Sequence, residues 1–382
     1  MSPHPGLPTV VTVITRNSLT RKTMAALVAV AAVVALAVPA TAAPDQWVLP
    51  APTGPHPVGR ADLHLVDQDR TDPWVPTGPR ELMVSLWYPA AAAHGDLAPY
   101  ATAEESRLLL ELYGITTAPP DALAGVRTHS RVDAPPLPGR SPLVVLSPGL
   151  AFPRWTLTSL AEDLASRGYV VAGVDHTYEG AAVTFPDGRV AACVVCKGGT
   201  SGTAITASRV SDLSFVLDRL LADPRYGRLV DPDRIEITGH SIGGSAAAAT
   251  MIADPRVDAG INLDGSFQPA LGEDLARPFL MLGAENGTPG VRPDWDRTWT
   301  HLTGWRRWLQ VPRATHTSFS DAAVLTEWLG LPPAVVPGAR VIEINRAYVA
   351  AFTDLHLRHR PQPLLACPSP RFPEVLFVGP TA

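Results

Sequence analysis

The sequence predicts an α/β fold in which a mostly parallel central sheet carries helices on both faces. From Ser141 onward, short apolar runs alternate with amphipathic segments of helical length, a pattern typical of parallel sheets. A glycine-rich turn, "GHSIGG" at 239–244, joins one apolar run to an alanine-rich segment, as turns at the binding edge of such a sheet do. The chain has 382 residues, 46% of them hydrophobic, and can bury one large core.

The region before Ser141 is predicted to begin with two strands, "ADLHLVD" and "RELMVSLWYPA", each bounded by turn residues. Residues 91–140 read as an insertion that is partly helical ("AEESRLLLELYGI") and otherwise proline-rich. The helical segment is a candidate lid or interfacial surface, but its leucines favour packing on the core.

The alternating region continues in a regular order. Its predicted strands are "PLVVLSPG", "VVAGVDH", "RIEITG", "VDAGINLD", "PFLMLGAE" and "RRWLQVP". Its predicted helices include "WTLTSLAEDLASRGY", "ITASRVSDLSFVLDRLLAD", the alanine-rich segment after Ser241 and a tryptophan-rich segment. Residues 179–203 are predicted to form a loop, and residues 43–382 a single domain.

The N-terminal segment has the layout of a secretory signal peptide. Basic residues precede a short apolar run at 24–38, and Ala40 and Ala42 supply a small-residue cleavage signal. The alternative is a membrane anchor, but the run is shorter than the roughly 17–25 residues that a spanning helix needs. We therefore expect residues 1–42 to be removed after Ala42 and the protein to be secreted, with no stable membrane span.

Charge and cysteine content restrict the partners. Removal of residues 1–42 would lower the net charge from −5 to −8, because it takes away three cations and no acid. An acidic chain without basic blocks argues against a nucleic-acid partner. In an exported protein, Cys193 and Cys196 are the first candidates for a disulfide, with Cys367 free. A single CxxC lacks the second ligand pair of a structural zinc site.

Ser241 is the candidate nucleophile. It lies in a GxSxG pattern between a predicted strand and a predicted helix, which is the arrangement of a nucleophile elbow. Such a tight turn forces the serine into a strained backbone conformation. Gly239 and Gly243 flank it because a Cβ at either position would collide across the turn, and the alanines at 246–249 allow the helix to lie close to the strands. The alternative is a chance match, which the strand–turn–helix context makes rare.

A serine hydroxyl needs a base to take its proton and a carboxylate to orient that base. His316 follows the last predicted strand, where it can reach back to Ser241, whereas His301, His356 and His359 lie in predicted helices. Two acids downstream of Ser241 end predicted strands, Asp264 and Glu285. From the residues alone, either could complete the triad in the order serine, acid, histidine.

Five segments resemble the plasma-type platelet-activating-factor acetylhydrolases and their bacterial relatives, within the α/β-hydrolase superfamily. They are "LVVLSPGL" (143–150), "LAEDLASRGYVVAGVDH" (160–176), "GHSIGG" (239–244), "INLDGSF" (261–267) and "THTSFSD" (315–321). The resemblance covers about residues 60–325 and implies the α/β-hydrolase fold. It also implies that Asp264 is the triad acid, which leaves Glu285 as a polar residue near the site.

The oxyanion hole needs two backbone N–H groups. One belongs to Ile242, the residue after the nucleophile. The resemblance implies that the other belongs to Leu150. The sequence departs from the plasma enzyme at Pro148, where that enzyme has a histidine; proline has no N–H, but the donor in question belongs to Leu150.

The remaining candidates are assigned to the pocket. Asp175, His176 and Glu179 in "DHTYEG" are interpreted as pocket wall rather than metal ligands, and Trp155, which follows the oxyanion loop, as a wall of the acyl pocket. A Cys193–Cys196 disulfide would stiffen the pocket rim.

The sequence thus predicts a secreted serine carboxylic-ester hydrolase that needs no cofactor or metal. The resemblance favours short-chain acyl or phospholipid-type ester substrates. The alternatives are a cutinase-like, polyester-degrading esterase or a lipase, in which the acid would stand at Glu285, and a non-catalytic binding protein built on the same fold.

Overall fold

The computed structural model describes residues 46–379, so the predicted signal peptide lies outside the described residues. The strands are β1 (Val58–Thr71), β2 (Pro79–Pro89), β3 (Arg131–Val132), β4 (Ser141–Ser147), β5 (Val170–Asp175), β6 (Ala182–Thr184), β7 (Val190–Ala192), β8 (Val230–His240), β9 (Ala259–Leu263), β10 (Phe279–Gly283), β11 (Arg306–Gln310) and β12 (Leu376–Phe377). The α-helices are α1 (Ala103–Leu112), α2 (Thr158–Ser166), α3 (Gly202–Ala222), α4 (Ile242–Ala253), α5 (Pro293–His301), α6 (Ala322–Trp328) and α7 (Gly338–Leu357).

One ten-stranded sheet forms the centre of the fold, in the order β12-β11-β10-β9-β8-β4-β5-β2-β1-β3. From β5 through β4, β8, β9 and β10 to β11, each neighbouring pair is parallel. The pairs β1–β2 and β2–β5 are antiparallel. The predicted α/β-hydrolase architecture, mostly parallel with helices on both faces, is therefore confirmed.

The sheet separates two apolar cores because successive side chains of a strand point to opposite faces. In β4, Val144 and Leu146 join the core that includes α2 and α7, whereas Leu143 and Val145 join the core under α3, α4 and α5. Burial on both faces explains why this strand reads as a continuous apolar run. The alanines of α4 are buried in the second core, which lets the helix lie close to the strands.

Parts of the structure differ from the sequence interpretation. The segment 179–203, expected to be a loop, contains the antiparallel hairpin β6–β7. Strand β12 pairs antiparallel with β11 at the edge of the sheet, and nothing in its two residues signalled a strand. Helix α1 forms where the insertion was expected to be helical, and its Leu109 and Leu110 are buried while Leu112 is exposed. Within residues 46–379, no helix is long and apolar enough to cross a membrane.

A buried acid in β8 makes the stability of the fold depend on pH. Burial raises the pKa of Glu236 to about 7, although Thr238 and Thr353 donate hydrogen bonds to its carboxyl group. The folded chain therefore keeps a proton that the unfolded chain releases above its ordinary pKa of 4.5. Stability from this group is full below that value and is lost as the pH rises to about 7.

We expect Glu236→Gln to remove this contribution, because glutamine does not titrate. Between pH 5 and 7 the unfolding free energy of the wild type should fall more steeply than that of the variant, by up to about 1.4 kcal/mol per pH unit. Urea unfolding at pH 5, 6 and 7 measures the difference, and Glu273→Gln at an exposed site is the control. Parallel pH dependences of wild type and Glu236→Gln would contradict the assignment.

Candidate active site

Ser241 lies at the turn between β8 and α4, with φ 56° and ψ −128°. This is the strained conformation expected of an elbow that lifts the side chain clear of the sheet. The flanking glycines are required by space: a Cβ on Gly239 would lie 2.0 Å from the main chain of Gly243, and one on Gly243 would lie 2.0 Å from the carbonyl oxygen of Ser147. The turn therefore fixes the direction of the Ser241 hydroxyl.

A chain of hydrogen bonds joins Ser241, His316 and Asp264. Ser241 Oγ lies 2.8 Å from His316 Nε2, and His316 Nδ1 lies 2.7 Å from Asp264 Oδ2. A carboxylate accepts the Nδ1 proton, which leaves Nε2 to accept the serine proton. Asp264 directly follows β9, the strand next to β8 in the sheet, so the sheet itself sets the separation between acid and nucleophile.

Of the two acids that the residues left open, the structure brings only Asp264 to His316. Glu285 is exposed, and its carboxylate accepts the backbone N–H of Arg313. Its main-chain carbonyl accepts a 2.6 Å hydrogen bond from Gln310 Nε2. Glu285 thus fastens the loop that leads to His316 and does not touch the imidazole.

Three further residues, whose roles the sequence interpretation missed, hold Asp264 and its turn. Arg292 Nη1 donates to Asp264 Oδ1 at 3.2 Å, and the backbone N–H of Ala284 donates to the same oxygen at 3.0 Å. Asn262 closes the turn after Asp264, because its side chain accepts from and donates to the main chain of Gly265. Arg292 comes 28 residues after Asp264, so no local pattern could have revealed the contact.

His240, the residue before the nucleophile, supports the base. Its Nε2 donates to the main-chain carbonyl of His316 at 2.8 Å, and the two rings lie 4.9 Å apart. Phe152 stacks on the other side of the His240 ring, with centroids 5.6 Å apart. Burial lowers the pKa of His240 to about 4, so its ring is neutral at pH 7. The "GHSIGG" motif contained this residue, but its contact with His316 depends on the fold.

The loop after β4 packs against the elbow. A Cβ on Gly149 would lie 3.2 Å from Ser241 Cβ and 2.9 Å from His240 Nδ1, so only glycine allows this approach. Within residues 46–379, the N–H groups of Leu150 and Ile242 donate no hydrogen bond to a protein acceptor. Two unused N–H groups beside a serine nucleophile are what an oxyanion hole requires.

An apolar cluster surrounds these two N–H groups. It comprises Trp74, Leu150, Cys193, Val195, Cys196, Ile205 and Ile242. Cys193 and Cys196 are joined by a disulfide, and Cys367 is an exposed free thiol. Trp74 is a wall residue that sequence reasoning missed, because it lies between β1 and β2, far from the other members along the chain. The arrangement offers an apolar surface to one side of a bound ester.

Four residues assigned to the pocket wall, Trp155, Asp175, His176 and Glu179, are instead buried, and those predictions were wrong. His176 is 2% exposed and lies between Ser147 Oγ at 3.0 Å and Asp212 Oδ2 at 2.8 Å. Burial lowers its pKa to about 3. Trp155 is 2% exposed and packs edge-on against Tyr100 in the core under α1. His176 directly follows β5 and Trp155 lies between β4 and α2, and both side chains are taken up by the protein interior beneath the site.

The site itself is open to solvent. The His316 side chain is 51% exposed, and Ser241 is half-buried. Near the rim, Tyr113 at the end of α1 lies 5.9 Å from Phe152, ring to ring. Among the described residues 46–379, no group of histidine, cysteine and acidic side chains is arranged to hold a metal ion. The hydrogen-bonded serine and histidine, with two unused N–H groups beside them, can deprotonate a serine and stabilise an oxyanion.

Comparison with known proteins identifies the family. Residues 41–192 match the family described as "Platelet-activating factor acetylhydrolase, isoform II". A probable 1-alkyl-2-acetylglycerophosphocholine esterase from Arthroderma benhamiae is 29% identical over 89% of this chain and 96% of its own length. The crystal structure of a ferulic acid esterase from Streptomyces cinnamoneus is 46% identical, with a TM-score of 0.80 over 87% of this chain and all of that chain. This chain is an α/β-hydrolase of the platelet-activating-factor acetylhydrolase type.

Members of this family are esterases, and the chain is a carboxylic ester hydrolase. The platelet-activating factor acetylhydrolase of Cavia porcellus is 25% identical over 62% of this chain and 60% of its own length. The resemblance read from "GHSIGG" and the segments around it is thereby confirmed. The alternative that this chain is a non-catalytic binding protein on the same fold is therefore rejected.

Proposed function

We propose that the chain is a secreted serine esterase in which Ser241 is the nucleophile, His316 the general base and Asp264 the acid that orients it. The observation that carries the proposal is the continuous pair of hydrogen bonds, 2.8 Å and 2.7 Å, from Ser241 through His316 to Asp264. The exposed imidazole can pass the proton on to a leaving alcohol.

The reaction then proceeds in two halves. Ser241 Oγ attacks the ester carbonyl carbon while His316 Nε2 takes its proton, and the negative charge forms on the carbonyl oxygen. The N–H groups of Leu150 and Ile242 bind this oxyanion, helped by the positive end of α4. His316 returns the proton to the leaving alcohol. Water repeats the steps on the acyl-enzyme and releases the acid.

The substrate we propose is an ester of a flat aromatic acid of the ferulic type. The support is the 46% identity with the ferulic acid esterase and the position of Trp74 in the apolar cluster, where an aromatic acyl group can stack. A second candidate is a short acyl ester such as the acetyl group of a phospholipid, favoured by the match of residues 41–192. The alternative of a cutinase-like esterase has less support, because Asp264 rather than Glu285 contacts His316.

The test is kcat/KM for the 4-nitrophenyl esters of ferulic, acetic and octanoic acid, with Ser241→Ala as the blank. We expect Ser241→Ala to lower kcat by about 10⁶. We expect ferulate to exceed octanoate at least tenfold, about 1.4 kcal/mol in the transition state. A tenfold preference for acetate would favour the second candidate, and equal rates would favour lipids or polyesters. Failure of a fluorophosphonate to label Ser241 would overturn the triad.

Secretion is the second part of the proposal, and its support is the basic, apolar and small-residue order of residues 1–42. We expect protein recovered from the culture medium to begin at Ala43, as intact mass and N-terminal sequencing would show. Retention of the full chain in the membrane fraction would indicate an uncleaved anchor instead.

A further inference from the structure

The loop that carries Leu150 is held on both sides of that residue, by the Arg209 side chain upstream and by the main chain of Glu179 downstream. On the upstream side, the Arg209 guanidinium donates to the carbonyl of Pro148 and, at 3.2 Å, to Ser147 Oγ. On the downstream side, the backbone N–H of Ala151 donates to the carbonyl of Glu179 at 2.8 Å. Between these contacts the N–H of Leu150 stays unused.

Arg209 and Glu179 are themselves paired beneath the loop. Arg209 Nε lies 2.7 Å from Glu179 Oε2, and their side chains are 1% and 0% exposed. The other carboxylate oxygen accepts a 2.9 Å hydrogen bond from Trp74 Nε1. The same carboxylate therefore fixes a member of the apolar wall and, through Arg209, the loop of the oxyanion hole.

Two main-chain hydrogen bonds hold the rest of the loop, from the Phe152 N–H to the carbonyl of Gly149 at 3.1 Å and from the Ala181 N–H to the carbonyl of Ala151 at 2.9 Å. Pro148 has no N–H, so its carbonyl is the only backbone group it can use, and Gly149 has no side chain to restrict its torsions. A backbone donor contributes to catalysis only if it is already aimed at the position of the oxyanion before the reaction begins. Without a fixed Pro148 carbonyl, the Pro148–Gly149 peptide unit could rotate and displace the next unit, which carries the Leu150 N–H and keeps the 3.1 Å bond from Phe152 to the Gly149 carbonyl.

We propose that Arg209 and Glu179 are positioning residues that hold the Leu150 N–H in the oxyanion hole. The hydrogen bond from Trp74 to Glu179 then couples the position of the apolar cluster to that of the hole. The inference rests on the proposed serine mechanism and goes beyond it, because neither residue touches the reacting atoms.

The test uses Arg209→Met, which removes the clamp, and Arg209→Lys, which keeps the charge but not the fork that reaches Glu179 and Pro148 together. For 4-nitrophenyl esters we expect kcat to fall ten- to a hundredfold in both variants, with KM changed less than twofold. The affinity for a trifluoromethyl ketone, which becomes a tetrahedral adduct on Ser241, should fall by the same factor as kcat/KM.

Arg70→Met is the matched control. Arg70 contacts Asp212 at 2.5 Å, and Asp212 and Glu179 both contact the buried guanidinium of Arg80. Arg70 therefore belongs to the same buried charged cluster as Arg209, but it contacts no residue of the 147–151 loop. We expect it to lower stability while kcat and ketone affinity stay within twofold of the wild type. Equal losses in Arg70→Met and Arg209→Met would overturn the proposal, because they would show a general effect of weakening the cluster.

If the Arg209 variants do not fold, Trp74→Phe tests the proposal in their place. Trp74 is half-buried, and phenylalanine retains an aromatic ring but not the donor to Glu179. A fall in kcat and in ketone affinity together supports the tie between wall and hole, whereas a change in KM alone contradicts it. A failure of the serine mechanism itself would be recognised separately. In that case Ser241→Ala would keep its activity, whatever the Arg209 variants showed.

Discussion

Asp264→Asn is expected to lower kcat by about 10⁴ while the protein stays folded. Asparagine has the shape of aspartate, but its amide can present a donor to His316 Nδ1, which then holds the wrong tautomer and cannot accept the Ser241 proton at Nε2. The negative charge that stabilises the imidazolium is lost as well. Initial rates with 4-nitrophenyl acetate at saturating substrate measure the effect, and circular dichroism shows whether the fold is kept.

Glu285→Gln is the matched control for this substitution. Glu285 is the other acid that follows a strand downstream of Ser241. Its substitution alters only the hydrogen bond from the Arg313 N–H at the surface. We expect its kcat to stay within about twofold of the wild type, since glutamine keeps an oxygen that can accept that N–H. The reverse pattern, a silent Asp264→Asn and an inactive Glu285→Gln, would show that the acid stands where cutinase-like enzymes have it.

The parts of the site that the sequence predicts are those that depend on local geometry. The GxSxG turn must have small residues where its own backbone crosses, and Ser241, Asp264 and His316 each follow an apolar run that had to be a strand. Chain order and strand ends were therefore enough to choose Ser241 and His316. They left two candidate acids, and the family resemblance decided for Asp264 over Glu285.

The supporting residues could not be found in this way, because their contacts span long stretches of chain. Trp74 and Glu179 are 105 residues apart, and Arg80 and Asp212 are 132 apart. His176 illustrates the failure: it directly follows β5, as Asp264 follows β9, yet its ring turns inward to Asp212 of α3. Whether a side chain at a strand end faces the site or the core depends on which distant group is there to receive it.

The same buried cluster should decide the stability of the fold, and its centre is Arg80. Its guanidinium contacts Asp72 at 2.8 Å, Asp212 at 2.7 Å and the carbonyl of Thr177 at 2.8 Å, and it is fully buried. These contacts hold the pKa of Asp212 well below its usual range, although burial alone would raise it. The Asp212 carboxylate is therefore charged at pH 7 and depends on Arg80.

We expect Arg80→Met to lower the unfolding free energy by about 3–5 kcal/mol at pH 7, the usual cost of leaving a buried charge without its partner. Arg80→Lys should lose less, because it keeps the charge and loses only the fork. Urea unfolding measures both, and Arg107→Met, at an exposed arginine paired with Glu104 and Glu111, should cause no measurable change. The loss in Arg80→Met should shrink as the pH falls, because protonation of the abandoned carboxylates removes the unpaired charge. A loss that is the same at pH 7 and pH 4 would mean that packing around the arginine, rather than its charge, stabilises this part of the fold.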